Sequence, residues 1–450
     1  MPTQNEIFAR LFPNDRRPHT PKAMPVTSAP GNGTVLDGHA PEVLDIMEAS
    51  GLYVVQSAKY AARLTFDRLI DQRGGVSAEV TVVLGSTEIL SGVDIGLKSD
   101  TGHTKLAASL RALAPTEPWK QLLQKACALV LQQHRRGEPP QQLTRSRIVE
   151  PLTYSINPFL FKRKTTIIYG DGGLGKSTFA LFLGMCVALG ATVAGIAALR
   201  GKVLYLDYED DADVHTRRLH AIMQGHPELN NAEVLYQRCT EPLPRLAHSL
   251  VRRIQAEGIS FVILDSLMAG TGGDASAEST AKLFAALRVL AVEVLALGHV
   301  PKTQAEGAEH LTVYGSVFNQ NFARAVWEIK KEQAIGEDGS VLGLFNRKSN
   351  LSRLHLPIGL SVTQNPESTC IRYASCDLSQ ATELAASLPL PNRIRNLLED
   401  GTSRTSKQIA EELGAKLPSV KSALSRQAGH KWMMLGGSGQ ETTWTVLRPK

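Results

Sequence analysis

Residues 165–178 read Thr-Thr-Ile-Ile-Tyr-Gly-Asp-Gly-Gly-Leu-Gly-Lys-Ser-Thr: a β-branched run, a glycine-rich turn, then a lysine and two hydroxyls. From Gly170 to Ser177 the stretch fits GxxxxGK[ST] at every fixed position. The glycines let consecutive backbone N–H groups turn inward around a phosphate without side-chain interference. The run from Phe179 to Leu199 holds no charged residue and is long enough to span a bilayer of ~30 Å. Gly184, Gly190 and Gly195 interrupt it, however, and it begins directly behind the lysine and hydroxyls. It therefore reads as a buried helix followed by a loop, and strand–turn–helix is the setting this motif requires.

The motif assigns roles at once. Gly170, Asp171, Gly172, Gly173, Leu174, Gly175, Lys176, Ser177 and Thr178 are the expected nucleotide-binding residues. Lys176 would neutralise the β- and γ-phosphates and the Ser177 hydroxyl would take one magnesium position, so ATP and Mg2+ are the implied cofactors. The positive end of the following helix adds to the field.

Outward from the motif, residues 151 to about 375 alternate strands with helices, the pattern of a parallel sheet flanked by helices. Strands are read at 165–170, 202–209, 234–239, 260–265 and 293–300, and helices at 211–225, 244–257 and 277–290. Two further apolar runs, 324–332 and 341–348, flank a Gly-Glu-Asp-Gly turn and read as a terminal hairpin. The apolar strand Phe261-Val-Ile-Leu ends in Asp265, placed to hold a magnesium ion's water shell. The strand Leu204-Tyr-Leu runs into Asp207, Glu209, Asp210 and Asp211 at the same sheet edge. Glu209 is the general-base candidate, Asp207 is read as structural, and Asp210 is second choice. Asp also favours helix N-caps, which accounts for Asp210 and Asp211 without chemistry.

At 450 residues, with 43% hydrophobic and 20% charged, the chain has room for two or three globular domains. A formal charge of +6 permits a nucleic-acid partner without demanding one. Residues 1–45 are rich in Pro, Gly, Thr and Asn and read as a mobile leader without a signal-peptide core. Residues 46–133 read as an α+β module without catalytic motif: strand-like runs to Leu97, then helices at 105–114 and 117–136. A polar linker over 134–150 precedes the central domain, 151–378, and a second covers 379–391. The five cysteines form no CxxC pair, so buried thiols in a reducing compartment are expected, with a cytoplasmic location and no membrane partner.

Residues 392–450 read as three short helices followed by a hairpin around a glycine turn. Residues 391–450 carry ten Lys/Arg against five Asp/Glu. Three helices and a two-stranded wing resemble the winged helix-turn-helix fold. The third helix would start near Pro418 and Ser419 and project Lys421, Ser422 and Arg426 toward a DNA groove.

Taken in order, GDGGLGKS (170–177), VLYLDYED (203–210), FVILDS (261–266), GHVPKT (298–303) and YGSVFNQNFARAVWEI (314–329) resemble the RecA-like hexameric ATPases of the plasmid RepA and DnaB helicase group. The resemblance covers about residues 150–375 and implies an α/β fold with a RecA-like parallel sheet. It implies that Glu209 is the catalytic carboxylate and that His299, with Lys302, senses nucleotide state. It also implies a trans-acting cation near the end of the late hairpin. There Lys348 matches the family's lysine, Asn350 replaces the usual arginine, and Arg347 is the substitute.

The resemblance implies a homo-oligomer such as a hexamer, with single-stranded DNA in its ring and duplex DNA at the C-terminal module. The leading expectation is an ATP-driven helicase or translocase of a plasmid, phage or integrated element. The alternative is an ATP-switched DNA-binding regulator or loader. It gains weight because the segment 268–280 contains no Lys or Arg and 304–316 is net acidic, so neither loop writes a basic funnel for DNA. A metabolite kinase lacks support, since no lid-like arginine cluster follows the phosphate loop.

Overall fold

The computed structural model describes residues 44–49, 51–72, 74–137, 140–145, 151–300, 317–333, 338–436 and 442–447. The chain divides into two compact units: residues 1–149 with 248–257, and residues 150–247 with 258–450.

The first unit is built on five antiparallel strands in sequential order: β1 (Leu44–Ala49), β2 (Leu52–Ser57), β3 (Ala62–Gln72), β4 (Gly75–Leu84) and β5 (Thr87–Gly96). Alternation sets its inner face. Leu64, Phe66, Val80 and Val82 are fully buried, and they meet Leu110, Trp119, Leu122 and Val130 from α1 (Asp100–Leu113) and α2 (Trp119–Arg136). Strand β1 begins at Leu44, inside the stretch read as leader, and α2 runs to Arg136, into the stretch read as linker.

In the second unit a small four-stranded sheet joins β6 (Tyr154–Asn157) and β7 (Leu160–Phe161) to β9 (Thr192–Val193) and β10 (Ile196–Ala198). Between these pairs lie β8 (Thr165–Gly170) and α3 (Lys176–Leu189). Helix α3 is buried on nearly all sides from Phe179 to Val187, as a helix apolar around its whole circumference must be. It stops at Gly190, whose φ of 68° supplies the left-handed cap. The uncharged run is thus a buried helix followed by two short strands. Among the described residues, no helix is long and apolar enough to cross a membrane.

The elements that follow are β11 (Lys202–Asp207), α4 (Ala212–Gly225), β12 (Val234–Arg238), α5 (Leu243–Glu257), β13 (Ile259–Asp265), the single turn α6 (Leu267–Gly270), α7 (Ala277–Val289) and β14 (Glu293–His299). After α8 (Val317–Phe322) come β15 (Ala325–Glu332), β16 (Gly339–Ser349), β17 (Ile358–Gln364) and β18 (Ile371–Cys376). The nine-stranded sheet has the order β12-β11-β13-β14-β8-β15-β16-β17-β18. Its first six strands are parallel and its last three antiparallel. Two strands thus continue past the hairpin that was expected to end the sheet. They are short, and polar residues dilute their alternation. Among the parallel strands, β14 alone separates the phosphate-loop strand from the Asp265 strand, and all six end at a common edge. The fold is α/β and RecA-like.

The stretch read as a second linker is not irregular throughout. It contains α9 (Thr382–Ala386), and Leu384 and Leu388 pack with Phe345 and Leu378 in a small core of their own. Beyond it, α10 (Leu390–Leu398), α11 (Ser406–Glu412) and α12 (Leu417–Arg426) bury Ile394, Ile409, Val420 and Leu424 with Trp432 and Trp444. A three-stranded sheet completes this region, with β19 (Arg404–Thr405), β20 (Trp432–Leu435) and β21 (Thr443–Val446) in the order β19-β21-β20. Lys421 and Arg426 are exposed on α12, and Ser422 is half-buried.

Candidate functional site

Parallel register decides which side chains meet. Asp207 pairs with Asp265 across β11 and β13, and His299 pairs with Gly170 across β14 and β8. Two carboxylates, an imidazole and the start of the phosphate loop therefore share one sheet edge.

The loop turns between that edge and α3. Gly173 and Gly175 have φ of 77° and 83°, a conformation costly for any other residue. At Gly170 an added Cβ would lie 2.5 Å from the Ile329 carbonyl oxygen, so the loop's first position is closed to side chains. Within the loop, Gly172, Gly173 and Gly175 face open space, leaving the cradle clear. The Lys176 ammonium donates to the carbonyls of Gly170 (3.0 Å) and Asp171 (2.6 Å), which aims it into the cradle. Burial lowers the Lys176 pKa, while Asp265, Glu209 and Asp171 oppose that and favour the charged form.

Asp265 is buried and accepts a 2.7 Å hydrogen bond from the Tyr205 hydroxyl and another from Ser177. Burial raises its pKa; the two hydroxyls act against this, and the charges of Glu209 and Asp207 add to it. The donor set suits magnesium: a hydroxyl and a carboxylate, both hard oxygen ligands, beside the phosphate cradle. Among the described residues no group of three or more His, Cys, Asp or Glu side chains forms a metal cage. A cation here would take its remaining ligands from phosphate and water, which is magnesium's habit.

The acidic run after β11 resolves into four different jobs. Asp207, fully buried, accepts from the backbone N–H groups of Glu209 (3.0 Å) and Asp210 (3.2 Å) and from the Tyr236 hydroxyl (3.0 Å), and its Oδ2 lies 3.1 Å from His215 Nε2. Burial alone would raise its pKa; the His215 contact and the two N–H groups outweigh it and hold the carboxyl at about 2. Glu209 faces the cradle, with its Oε1 accepting from the Ser266 hydroxyl at 2.5 Å and lying 3.4 Å from His299 Nε2. His299 is the largest influence lowering the Glu209 pKa; partial burial opposes it and Ser266 reinforces it, so the group is a carboxylate at neutral pH. Asp210 pairs with Arg218 at 2.8 Å, and Asp211 caps α4 by accepting from the Val214 N–H.

Lys176, Ser177, Asp265, Glu209 and His299 thus converge, with Ser266 and Tyr205 as partners that sequence reasoning missed. Ser266 was legible only as the residue after Asp265. Arg347 and Lys348 are engaged elsewhere. A register shift in the β15–β16 pairing leaves Arg347 as the extra residue of a bulge. Its guanidinium lies 2.5 Å from fully buried Glu328 and 5.0 Å from the Phe345 ring. Lys348 donates to the carbonyls of Asn321 (3.0 Å) and Ala323 (3.1 Å). Arg347 is therefore neutralised within its own chain rather than presented as a free cation. Lys302 and the segment 304–316 lie outside the described residues. In the segment 268–280, exposed Asp274 accepts hydrogen bonds from the Ser276 and Ser279 hydroxyls.

Beside the cradle a cavity of about 600 Å³ opens, starting at Leu174, Gly175 and Thr178 and bounded by Arg217 and Arg218 of α4 and by Tyr373 of β18. It has the size and position for a nucleoside next to the phosphates. No local pattern signals it, because its walls come from segments far apart in the chain.

Residues 140–305 match the family model described as an AAA domain. No curated protein matches the chain. Among solved structures it is similar to a KaiC-like protein from Pyrococcus horikoshii, with 15% identity and a TM-score of 0.36, covering 50% of this chain and 99% of that one. It is also similar to the flagellar accessory protein FlaH from Methanocaldococcus jannaschii, with 14% identity and a TM-score of 0.32, covering 48% of this chain and 90% of that one. The family match and the geometry of the phosphate loop support a P-loop ATPase domain in the central region of the chain.

Proposed function

We propose that the chain hydrolyses ATP with magnesium at the loop 170–178 and uses the energy as a motor on DNA. The observation that carries hydrolysis is the Glu209 carboxylate, held by Ser266 and His299 at the same edge as Lys176 and Asp265. Magnesium, when bound, supplies charge neutralisation at the phosphate oxygens. Ser177 and Asp265 would hold it. Lys176 binds and orients the triphosphate, the loop N–H groups fix its register, and the cavity beside Leu174 takes the nucleoside. Glu209 orients the attacking water and accepts its proton. His299, in contact with Glu209 and itself the last residue of β14, is positioned to pass nucleotide state into the segment that follows.

The DNA role rests on two supports. The C-terminal three helices and small sheet follow the winged helix-turn-helix pattern, and α12 exposes Lys421 and Arg426. The order of the motifs resembles ring-forming helicases, which adds a homo-oligomer such as a hexamer to the proposal. A second reading, a DNA-bound regulator or loader with ATP as a switch, is favoured by one observation: the segment 268–280 offers no cation and exposes the Asp274 carboxylate.

ATP turnover by wild type, Lys176→Ala and Glu209→Gln, each with and without single-stranded DNA, tests the proposal. Lys176→Ala should lose nucleotide binding; Glu209→Gln should bind but turn over roughly 10²-fold or more slowly. Full turnover by Glu209→Gln would refute its assignment as the base. DNA stimulation with strand separation selects the motor, and tight duplex binding with unstimulated hydrolysis selects the switch.

A further inference from the structure

The walls of the nucleoside cavity and the anchorage of the catalytic loop share one side chain, Arg218. It projects from α4 into the cavity and lies 2.8 Å from the Asp210 carboxylate, with 27% of its side chain exposed. Asp210 follows Glu209 directly, and the N–H groups of both residues hang on Asp207. Asp211 then starts α4 by capping it. The segment 209–211 is thus gripped from the sheet by Asp207 and from the helix by Asp211 and Arg218. Of these residues, Arg218 is the one that also lines the cavity. The same charge also acts on Tyr205, the partner of Asp265. Burial pushes the Tyr205 pKa well above its ordinary range, Asp265 pushes it further, and Arg218 opposes both.

We propose that Arg218 is a positioning residue that couples occupancy of the nucleoside cavity to placement of Glu209. A base or ribose entering beside Leu174 and Tyr373 stacks on, or hydrogen-bonds to, the guanidinium. The Asp210 carboxylate follows the guanidinium, and Glu209 moves with its neighbour. Displacements of about 1 Å at a reacting centre are worth up to 10²-fold in rate, so a small adjustment suffices. With the cavity empty, phosphates alone would be hydrolysed with Glu209 less well placed. The inference rests on the hydrolytic reading above and adds to it a reason why the nucleoside matters to the chemical step.

Inorganic tripolyphosphate separates the two, because it carries the phosphates and binds magnesium but leaves the cavity unfilled. Steady-state kcat and KM would be measured for ATP and tripolyphosphate with wild type, Arg218→Ala, Arg218→Lys, Asp210→Asn and the Arg218→Ala/Asp210→Asn double variant. Wild type should favour ATP in kcat. Arg218→Ala should lower kcat for ATP about tenfold, shift KM by less than about threefold and cost tripolyphosphate turnover distinctly less than it costs ATP turnover. Asp210→Asn should reproduce this, the double variant should be no worse than either single one, and Arg218→Lys should recover some of the loss. If tripolyphosphate turnover is below detection, the double-variant cycle and the split between KM and kcat decide. Equal losses on both substrates, a loss confined to KM for ATP, additive effects in the double variant, or a wild type indifferent to the nucleoside would each overturn the coupling. A folded wild type that turns over neither compound would instead defeat the hydrolytic reading, and the coupling with it.

Discussion

Replacing Asp207 by Asn should loosen the catalytic edge without touching the phosphate loop. The carboxylate accepts from two backbone N–H groups and a tyrosine hydroxyl and contacts a buried histidine. Its pKa falls from the ordinary 3.8 to about 2, and that difference is worth about 2.5 kcal/mol of preference for the ionised group in the folded chain. The sign is fixed by which state holds the proton. The unfolded carboxyl takes up its proton near 3.8 and the folded one only near 2, so the contribution is complete above the ordinary value and is lost as pH falls through about 2. At pH 7 all of it is present, and Asp207→Asn removes it. The new amide also turns an N–H₂ toward groups that are themselves donors, which adds loss in the same direction. Urea denaturation at pH 7 should show at least about 2.5 kcal/mol less stability. Amide exchange at Glu209 and Asp210 should accelerate, because those N–H groups lose their acceptor, and kcat should fall with little change in nucleotide affinity. A variant that unfolds with wild type and keeps both amides protected would refute the view of Asp207 as the anchor.

Asp265→Asn should trade function against stability: because burial raises the Asp265 pKa, its charge costs folding free energy above the ordinary carboxyl range, so the variant should melt higher without magnesium. It should also lose roughly 10²-fold or more of magnesium-dependent turnover, and an unchanged melting temperature with unchanged turnover would contradict both halves. His226, buried between α4 and β18, accepts the Tyr373 N–H at 2.8 Å and lies 3.0 Å from Glu228, so His226→Leu should cost about 1–3 kcal/mol by stranding that amide. Equal denaturation midpoints for the variant and wild type would show the contact to be dispensable. Lys421→Ala with Arg426→Ala should weaken duplex DNA binding and reduce its salt dependence by a slope of about 2, measured by anisotropy titrations across salt concentration; an unchanged slope would remove α12 from the interface.

The chemistry of the sheet edge is readable from sequence where spacing along one segment dictates it, and unreadable where it depends on pairing between segments. Strand β8, the glycine turn and α3 follow one another without a gap, so composition and spacing specify cradle and lysine together. The β15–β16 bulge that buries Arg347 against Glu328 is a matter of register, and one residue more or less leaves no trace in composition. Strands β17 and β18 were missed for a related reason. Their inner residues, among them Leu360, Ile371 and Tyr373, are separated by polar and small residues that read as loop until a neighbouring strand is in place. The nucleoside cavity, which Tyr373 and Leu174 both line, went unread with them.

The acidic run from Asp207 to Asp211 shows how far local reading reaches. Four carboxylates within five residues repel one another, and a sequence can say only that they must be separated somehow. The fold separates them by giving each a different kind of partner: backbone N–H groups with a histidine and a tyrosine for Asp207, a serine and a histidine for Glu209, an arginine for Asp210, a helix N-terminus for Asp211. Of the four partner sets, only the one around Glu209 faces the phosphate cradle and leaves an oxygen, Oε2, outside its hydrogen bonds to Ser266 and His299. That is why Glu209, rather than the neighbouring aspartates, is proposed as the carboxylate that meets the water molecule.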